Sequence, residues 1–431
     1  MGIDYVRRMN ENRSTDIDIL IAGAGYVGLS LALALRRSAP HLMLRIVDAA
    51  PDGVWRRDTR ASAIAEAASH MLSELGVWDR LLPHAQPITE MVVTDSRTSD
   101  PVRPTFLTFG TIDGGPSAPG PFAHMVPNVE LNGALRDMLA ADGIEVEQGV
   151  KVEAIDDRGP RMAVTLSNGE EVHARLVCAA DGVRSALRGM AGIRTVEWRY
   201  GQSGIVCTVR HERPHGGRAE EHFLPAGPFA TLPLKPVEEE GRTIHRSSLV
   251  WTEATADAER LLEDDFLFEI ELEQRFGRRL GKIEAEGKPR AFPLGLTVAR
   301  DFVRPRLALV GDAAHGIHPI AGQGLNLGFK DVAALAETIV DAARTGQDIG
   351  ALDVLERYQR WRRADTVLMG ATTDALNRLF SNDNRLVRAA RTFGLGVVDR
   401  LPPAKKFFID QAAGRIGLAG EQPKLLRGMA I

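Results

Sequence analysis

The sequence predicts an α/β fold in which a βαβ unit is interrupted by strand-rich insertions and resumes late in the chain. A helical C-terminal region follows. Three observations predict it. Residues 17–22 (IDILIA) form an apolar run that stops at Gly23-Ala24-Gly25-Tyr26-Val27-Gly28, a Gly-x-Gly-x-x-Gly turn. A second apolar run, LALV at 307–310, stops in the same manner at Gly311-Asp312 and leads through Gly322-Gln323-Gly324 into a helical pattern from Leu325-Asn326. Between them, residues 196–252 hold several strand-like runs in succession, among them GIVCTVR, FATLPL and HRSSLVW.

Taken in order, 17–22 reads as a buried parallel strand, because it is a short apolar run that ends at glycine. Tyr26 to Arg37 is rich in Leu and Ala and predicts a helix, and Leu42 to Asp48 predicts a second strand. Parallel strands need such a crossover helix. Arg60 to Trp78 predicts another amphipathic helix, ending near Gly76. The stretch 101–121, dense in Pro, Gly, Ser and Thr, predicts irregular structure or short edge strands. Leu131 to Ala141 returns to helix. The runs VEAIDD, MAVTLSN and EVHARLVCAAD predict a three-stranded meander with Asn168-Gly169 as its hairpin turn. Lys235 to Gly241 predicts a charged, exposed loop, and Asp257 to Arg278 a helical stretch. Strands follow at Arg290 to Val298 and Arg306 to Val310. From Leu325 onward the pattern is helical, broken near 346–350 and 401–403. The domains expected are 17–88 with 122–195 and 285–345 (nucleotide-binding), 89–121 with 196–284 (a substrate-binding β-sheet domain) and 346–431 (helical).

A chain of 431 residues, 44% hydrophobic and 26% charged, has the composition of a soluble globular protein with room for two or three domains. Its net charge of -4 argues against nucleic acid as a partner. Cys178 and Cys207 lie in apolar runs and fit no metal spacing, so free thiols in a reducing cytosol are expected. The uncharged stretch Ile19 to Leu35 changes from strand-like to helix-like pattern, which argues against a membrane span. His315 and His318 have no third ligand of the right type nearby, so no metal is expected.

Gly23 permits the tight turn, Gly25 lets a pyrophosphate approach the backbone, and Gly28 allows close helix–strand packing. The following helix start offers amide donors and partial positive charge to the anion. Asp48, at the end of the second strand, is placed to accept from ribose hydroxyls and would repel a 2′-phosphate. Asp181, opening DGVRSALR after the strand LVCAA, is on its own no more than a turn or helix cap. Asp312 is placed to accept from a polyol, and the helix start at Gly322, Gln323, Gly324, Leu325 and Asn326 faces an anion. Two such cradles far apart in sequence suit one long ligand held at both ends, a shape FAD has.

GAGYVG, DGVRSALR and GDAAHGIHPIAGQGLNLG, in this order, resemble the motifs of the p-hydroxybenzoate hydroxylase-like flavoprotein aromatic hydroxylases. HPIAGQGLNLGFKD is closest to the ubiquinone-biosynthesis hydroxylases within that group. DTRASAIAEAASHMLSELGVW, SSLVWTE, LNRLFSNDN and IGLAGEQPKLLRG agree with it. The resemblance spans almost the whole chain, with the middle, about 197–290, only loosely matched. It implies a Rossmann-like FAD-binding domain with an inserted, mainly antiparallel β-sheet domain. It makes Arg60 a flavin- or pyrophosphate-contacting residue and places the Pro319 backbone carbonyl near flavin and substrate. Asp48 stands where these flavoproteins more often have glutamate.

The implied activity is hydroxylation of a polyprenylated phenol through a flavin C4a-hydroperoxide, with O2 as co-substrate and NADH, NADPH or a protein as electron donor. The cofactor carries the hard step while the protein orients the ring and excludes water. Such a substrate resides in the bilayer. The resemblance therefore implies a cytoplasmic chain that visits the inner face of the membrane and partners in a ubiquinone-biosynthesis complex. LPPAKKFFIDQAAGRI at 401–416 suits an interface and equally a packed terminal helix. Two further readings stay open: a hydroxylase of a small soluble aromatic acid, and a non-catalytic FAD-holding accessory protein.

Overall fold

The computed structural model describes residues 16–96, 103, 105–110, 120–317, 323–381, 410, 413–415, 417 and 421–431. Its first layer is an eight-stranded sheet centred on β1 (Asp16–Ala22). Across it run β17 (Val303–Arg304), β18 (Leu307–Leu309), β11 (Glu171–Ala179), β1, β2 (Leu44–Asp48) and β8 (Val146–Gln148). β1 pairs in parallel with both β2 and β11, and β11 pairs in parallel with β18. Helix α1 (Tyr26–Ser38) makes the crossover from β1 to β2. Apart from the half-buried Asp18, the run at 17–22 is buried on both faces, with Ile19, Leu20 and Ile21 fully enclosed.

β9 (Val152–Asp157), β10 (Met162–Leu166) and β11 form the expected antiparallel meander, turned at Gly169 with its φ of 84°. The C-terminal half of β11 then pairs in parallel with β1 and β18 instead. Two long helices, α8 (Gln323–Arg344) and α9 (Leu352–Phe380), belong to the C-terminal part, and α8 packs against α1 and α9.

The second layer is another eight-stranded sheet. Its order is β19 (His315–Gly316), β16 (Ile283–Ala299), β12 (Thr195–His211), β15 (Arg242–Ala254), β14 (Gly227–Glu239), β13 (Arg218–Leu224), β5 (Glu90–Asp95) and β6 (Thr105–Gly110). All pairs are antiparallel except β13 with β5. One face buries Ile205, Val209, Phe229, Leu249 and Trp251 under α6 (Thr255–Glu263) and α7 (Asp265–Phe276). A small sheet, β3 (Ala61–Ala65), β7 (Ala123–Pro127) and β4 (Gln86–Ile88), packs on the opposite face through Ile88, Ala123 and Met125 against Ala219 and Leu234. That opposite face is the one turned toward Asp58, Thr59 and Arg60.

Three expectations are corrected. Arg60 to Trp78 is not one helix: Ala61–Ala65 is strand β3, and α2 (Glu66–Glu74) and the short α3 (Trp78–Leu81) follow. An alanine-rich run reads as helix, but pairing with β7, some sixty residues away, wins it for the sheet. Lys235 to Gly241 is the end of a hairpin rather than a loop. β14 continues to Glu239 against β15, turning at Glu240 and Gly241, and its solvated arm carries no alternation to announce a strand. The strand expected from Arg290 begins at Ile283 and stays with the second sheet to Ala299. The return to the first layer, expected at 285, therefore comes after 299.

Candidate functional site at the junction of the two layers

The glycines of the first turn divide by the space around them. A Cβ on Gly23 would stand 2.2 Å from the Ala180 carbonyl oxygen, and one on Gly28 would stand 1.9 Å from that of Gly23. Gly23 adopts φ 110°, where only glycine is comfortable. Gly25 has nothing within 4 Å of its Cβ position, and as N-cap of α1 it offers no side chain to the first-turn amides. Packing thus demands two of the glycines, and the third leaves an open approach to amide donors.

Asp48 accepts from the Ala24 amide at 2.6 Å through Oδ2 and from the Ala50 amide at 2.7 Å through Oδ1. Its carboxylate fixes the glycine turn, and each oxygen keeps a further lone pair for a ribose hydroxyl. Arg136, on α4 (Asn128–Ala141), reaches the same turn. Its Nη2 donates to the Ala24 carbonyl at 3.3 Å, and its guanidinium lies 5.3 Å from the Trp55 ring centre. Burial works against the Arg136 charge, while Asp48 and Asp52 support it.

Arg60 makes a two-pronged pair with Asp58, 2.8 Å at each contact, and its guanidinium lies over Phe292 at 5.6 Å. Asp58 also accepts from the Tyr26 hydroxyl at 2.8 Å and the Asn128 amide at 3.1 Å. Burial penalises the Asp58 charge, but the bonds and charge of Arg60, with Tyr26, outweigh it and hold the carboxyl well below its usual range. Burial first, then Asp58, pushes the Tyr26 phenol up. Asp58, Thr59 and Arg60 face Val206, Cys207, Ser248, Arg290 and Phe292 of the second sheet across a narrow, solvent-open cleft.

At the third motif, Gly311 turns with φ 61° close against Val27 of α1. Its amide donates to Asp331 Oδ2 at 2.9 Å, and His315 Nε2 reaches the same oxygen at 2.5 Å. A carboxylate can only accept, so Nε2 carries the proton. Arg362 Nε from α9 donates to Oδ1 at 2.7 Å, and Arg362 Nη1 to Asp365 at 2.7 Å. Asp331 and His315 are sealed from solvent. Burial opposes the Asp331 charge, and His315 and Arg362 overcome it, holding the carboxyl low. Asp312 is accessible between buried Gly311 and Ala313. Surrounding protein withdraws enough water to raise its carboxyl; Asp331 adds to this, while His315 and Arg60 oppose it. Arg60 and Asp312 therefore lie within electrostatic reach of each other.

The second motif is tied to the third. Arg188, on the short α5 (Ala186–Met190), donates from Nη1 to the Ala313 carbonyl at 2.9 Å and from Nη2 to that of Val183 at 2.8 Å. Asp181 Oδ2 accepts the Leu187 amide at 3.2 Å, and its Oδ1 is buried without a partner. Asn326, expected at the cofactor, bonds both ways to β3: Nδ2 to the Ala63 carbonyl and Oδ1 from the Ala65 amide, each at 2.9 Å. It pins the start of α8 beside Arg60. Leu325 is half-buried and Gly324 has open space at its Cβ position.

Pro319, Gly322, His318 and the side chain of Gln323 lie outside the described residues, as does 401–409. Sequence reasoning missed Tyr26, Asp58, Asn128, Arg136, Arg188, Asp331 and Arg362. Tyr26, Asp58, Arg188 and Asp331 sit inside quoted motifs (GAGYVG, DTR, DGVRSALR and GFKD), so the signal was present; Asn128, Arg136 and Arg362 gave none. Cys178 and Cys207 are free, the first buried, the second on the cleft, and burial pushes the Cys207 thiol up to about 12. No three His, Cys, Asp or Glu gather as metal ligands, and no helix is long and apolar enough to cross a membrane, among the described residues.

Comparison with known proteins agrees with this geometry. The family described as FAD binding domain matches residues 16–369. Ubiquinone hydroxylase UbiL of Rhodospirillum rubrum is 42% identical over 419 residues, 96% of this chain and 93% of that protein. The 3-demethoxyubiquinol 3-hydroxylase of Escherichia coli is 33% identical, over 92% of this chain and 98% of its own. Among solved structures, p-nitrophenol 4-monooxygenase PnpA of Pseudomonas putida superposes with a TM-score of 0.74 at 19% identity. It covers 94% of this chain and 99% of that one, and it shows the same fold.

Proposed function

Because the chain belongs to the FAD binding domain family, among the ubiquinone-biosynthesis hydroxylases, we propose that it hydroxylates the aromatic ring of a polyprenylated phenol on the route to ubiquinone. It is an FAD-dependent aromatic-ring monooxygenase. One observation carries the placement of the reaction: Arg60 lines the cleft against the second sheet while lying within electrostatic reach of Asp312. The polyol end of the cofactor site and the sheet face open to a substrate therefore meet at one point.

The residues present fit FAD. Gly25 and the start of α1 receive the pyrophosphate, with Arg136 alongside. Asp48 takes the ribose and Asp312 the ribityl chain. The orphaned Oδ1 of Asp181 is a buried acceptor still seeking a donor. Bound FAD supplies the transfer of electrons from NADH, NADPH or a protein donor to O2 that makes an oxygen atom electrophilic. Arg60 orients at the cleft, its charge fixed by Asp58. The amides at the start of α8 would favour negative charge beside them. Asp331 acts at a distance by holding Gly311 in its turn. The substrate's chemistry also supports a cytoplasmic protein working at the inner membrane face, within a ubiquinone-biosynthesis complex.

A second reading, a small soluble aromatic acid as substrate, draws on Arg290, which lines the cleft and has no carboxylate partner among the described residues. The test is turnover. Purified holoprotein with reductant and O2 should add one oxygen atom to a prenylated phenol, read by mass spectrometry. Product from 4-hydroxybenzoate but none from the prenylated phenol would reverse the order of the two readings.

A further inference from the structure

Glu221 stands out in the second sheet. It is 4% exposed, and no described residue bonds or pairs with it. Its neighbours in sequence are satisfied on the opposite face: Glu220 pairs with Arg218 and Arg279, and His222 bonds Ser96. Glu221 is opposite Ala230 and Val93. Pairing carries the row onward from Ala230 to Val250 and from Val250 to Val206. This face is opposite the one α6 and α7 cover, and its far end, at Val206, reaches the cleft with Arg60.

Ala230, Val250 and Val206 are each only half-buried although they lie mid-sheet. They form an apolar row across the sheet, with the Glu221 carboxyl at one end and the cleft at the other. Three strand spacings, about 14 Å, separate Glu221 from Val206, enough for a substituted phenyl ring. Burial pushes the Glu221 carboxyl up to about 7. Further ionisable side chains of this face are Asp95 beside Phe223, the ion-paired Arg210, Arg246, Glu239 and Glu286, the exposed Arg242 and Glu284 toward the sheet's far end, and Arg290 beyond Val206. From the opposing elements, Ile88, Ala123, Met125 and Phe380 bring no charge. A carboxyl that is 4% exposed and has no donor among the described residues remains available to a donor arriving with a ligand.

We propose that Glu221 anchors the substrate ring by accepting a hydrogen bond from its phenolic hydroxyl, with the ring laid on Ala230, Val250 and Val206. This rests on the phenol reading above and adds the residue that orients the ring. Bonding a hydroxyl donor stabilises the ionised carboxylate, so ring binding and Glu221 ionisation reinforce each other.

The test compares 2-farnesylphenol with its methyl ether, which lacks the donor, by calorimetric titration of the FAD-loaded wild type, Glu221→Leu and Glu221→Gln. The wild type should bind the phenol at least tenfold tighter than the ether. Glu221→Leu should bind the two alike, keep its FAD, and melt higher than wild type because an unpaired buried carboxyl is gone. Glu221→Gln, which keeps an acceptor oxygen, should fall between. Wild-type discrimination persisting in both variants overturns the proposal. So does a Glu221→Leu protein that melts lower and loses FAD, which would make the residue structural. Discrimination by a wild type that never hydroxylates the phenol would leave the anchor standing and remove the proposed reaction.

Discussion

Replacing Asp331 by asparagine should loosen the cofactor site from 20 residues away. The carboxylate is fully buried and receives three donors: the Gly311 amide, His315 Nε2 and Arg362 Nε. Asparagine has the same size but exchanges one acceptor oxygen for a donor nitrogen, so one of the three meets a donor head-on. Arg362, 2% exposed, would keep only Asp365 as a counter-charge. Breaking a buried pair costs about 3–5 kcal/mol because the remaining charge stays buried. At roughly 2–4 °C per kcal/mol for larger domains, the melting midpoint should fall on the order of 10 °C. FAD affinity should fall with it, because Gly311 loses the bond that fixes its turn beside Asp312. Scanning fluorimetry and flavin fluorescence titration read the two effects. The double variant Asp331→Leu with Arg362→Met, which leaves no orphan charge, should recover part of the stability. A single variant melting within about 2 °C of wild type, or a double variant worse than the single, would refute the reasoning.

Gly25→Val and Gly28→Val should fail differently. The first meets open space and should fold with wild-type melting yet purify without flavin colour; the second drives a Cβ into the Gly23 carbonyl and should not fold. Arg60→Ala removes a half-exposed partner of Asp58, so stability should change by less than about 1 kcal/mol. Its FAD dissociation constant should rise about tenfold, equivalent to about 1.4 kcal/mol, as fluorescence titration would show; unchanged affinity would remove Arg60 from the cofactor site. For Glu221 the folded carboxyl is raised from the ordinary 4.5 to about 7. The folded state therefore holds its proton longer than the unfolded chain, and stability is lost as pH rises through that interval. The displacement is worth at most about 3 kcal/mol. The melting advantage of Glu221→Leu should grow from pH 5 to pH 8 and then level off; a constant difference would contradict the assignment.

The legible parts were local ones. Gly23, Gly25 and Gly28 announce themselves because turn, approach and packing are demanded within six residues, and Asp312 because a strand ends at it. β3 was misread because Ala61 to Ala65 has no alternation and owes its conformation to β7. Asp331 stood within a quoted motif, but its importance comes from His315 and Arg362, 16 and 31 residues away. Arg188 closes the quoted DGVRSALR motif, but its role, tying that motif to Ala313 125 residues away, appears only in the fold. Glu221 lies where the family pattern was weakest, and only the sheet register reveals which face it shares.

The order of strands in the first sheet sets a timetable for synthesis. β11 borders β18, and Ala179 pairs with Leu309, 130 residues later in the chain. At ~5–20 residues per second, the edge of β11 waits roughly 6–26 s on the ribosome for its neighbour. Throughout that interval the apolar backbone edge at Val177 to Ala179 offers unpaired amides and carbonyls to any passing strand. The newborn protein therefore carries an open apolar edge in its first sheet while the second sheet is being made.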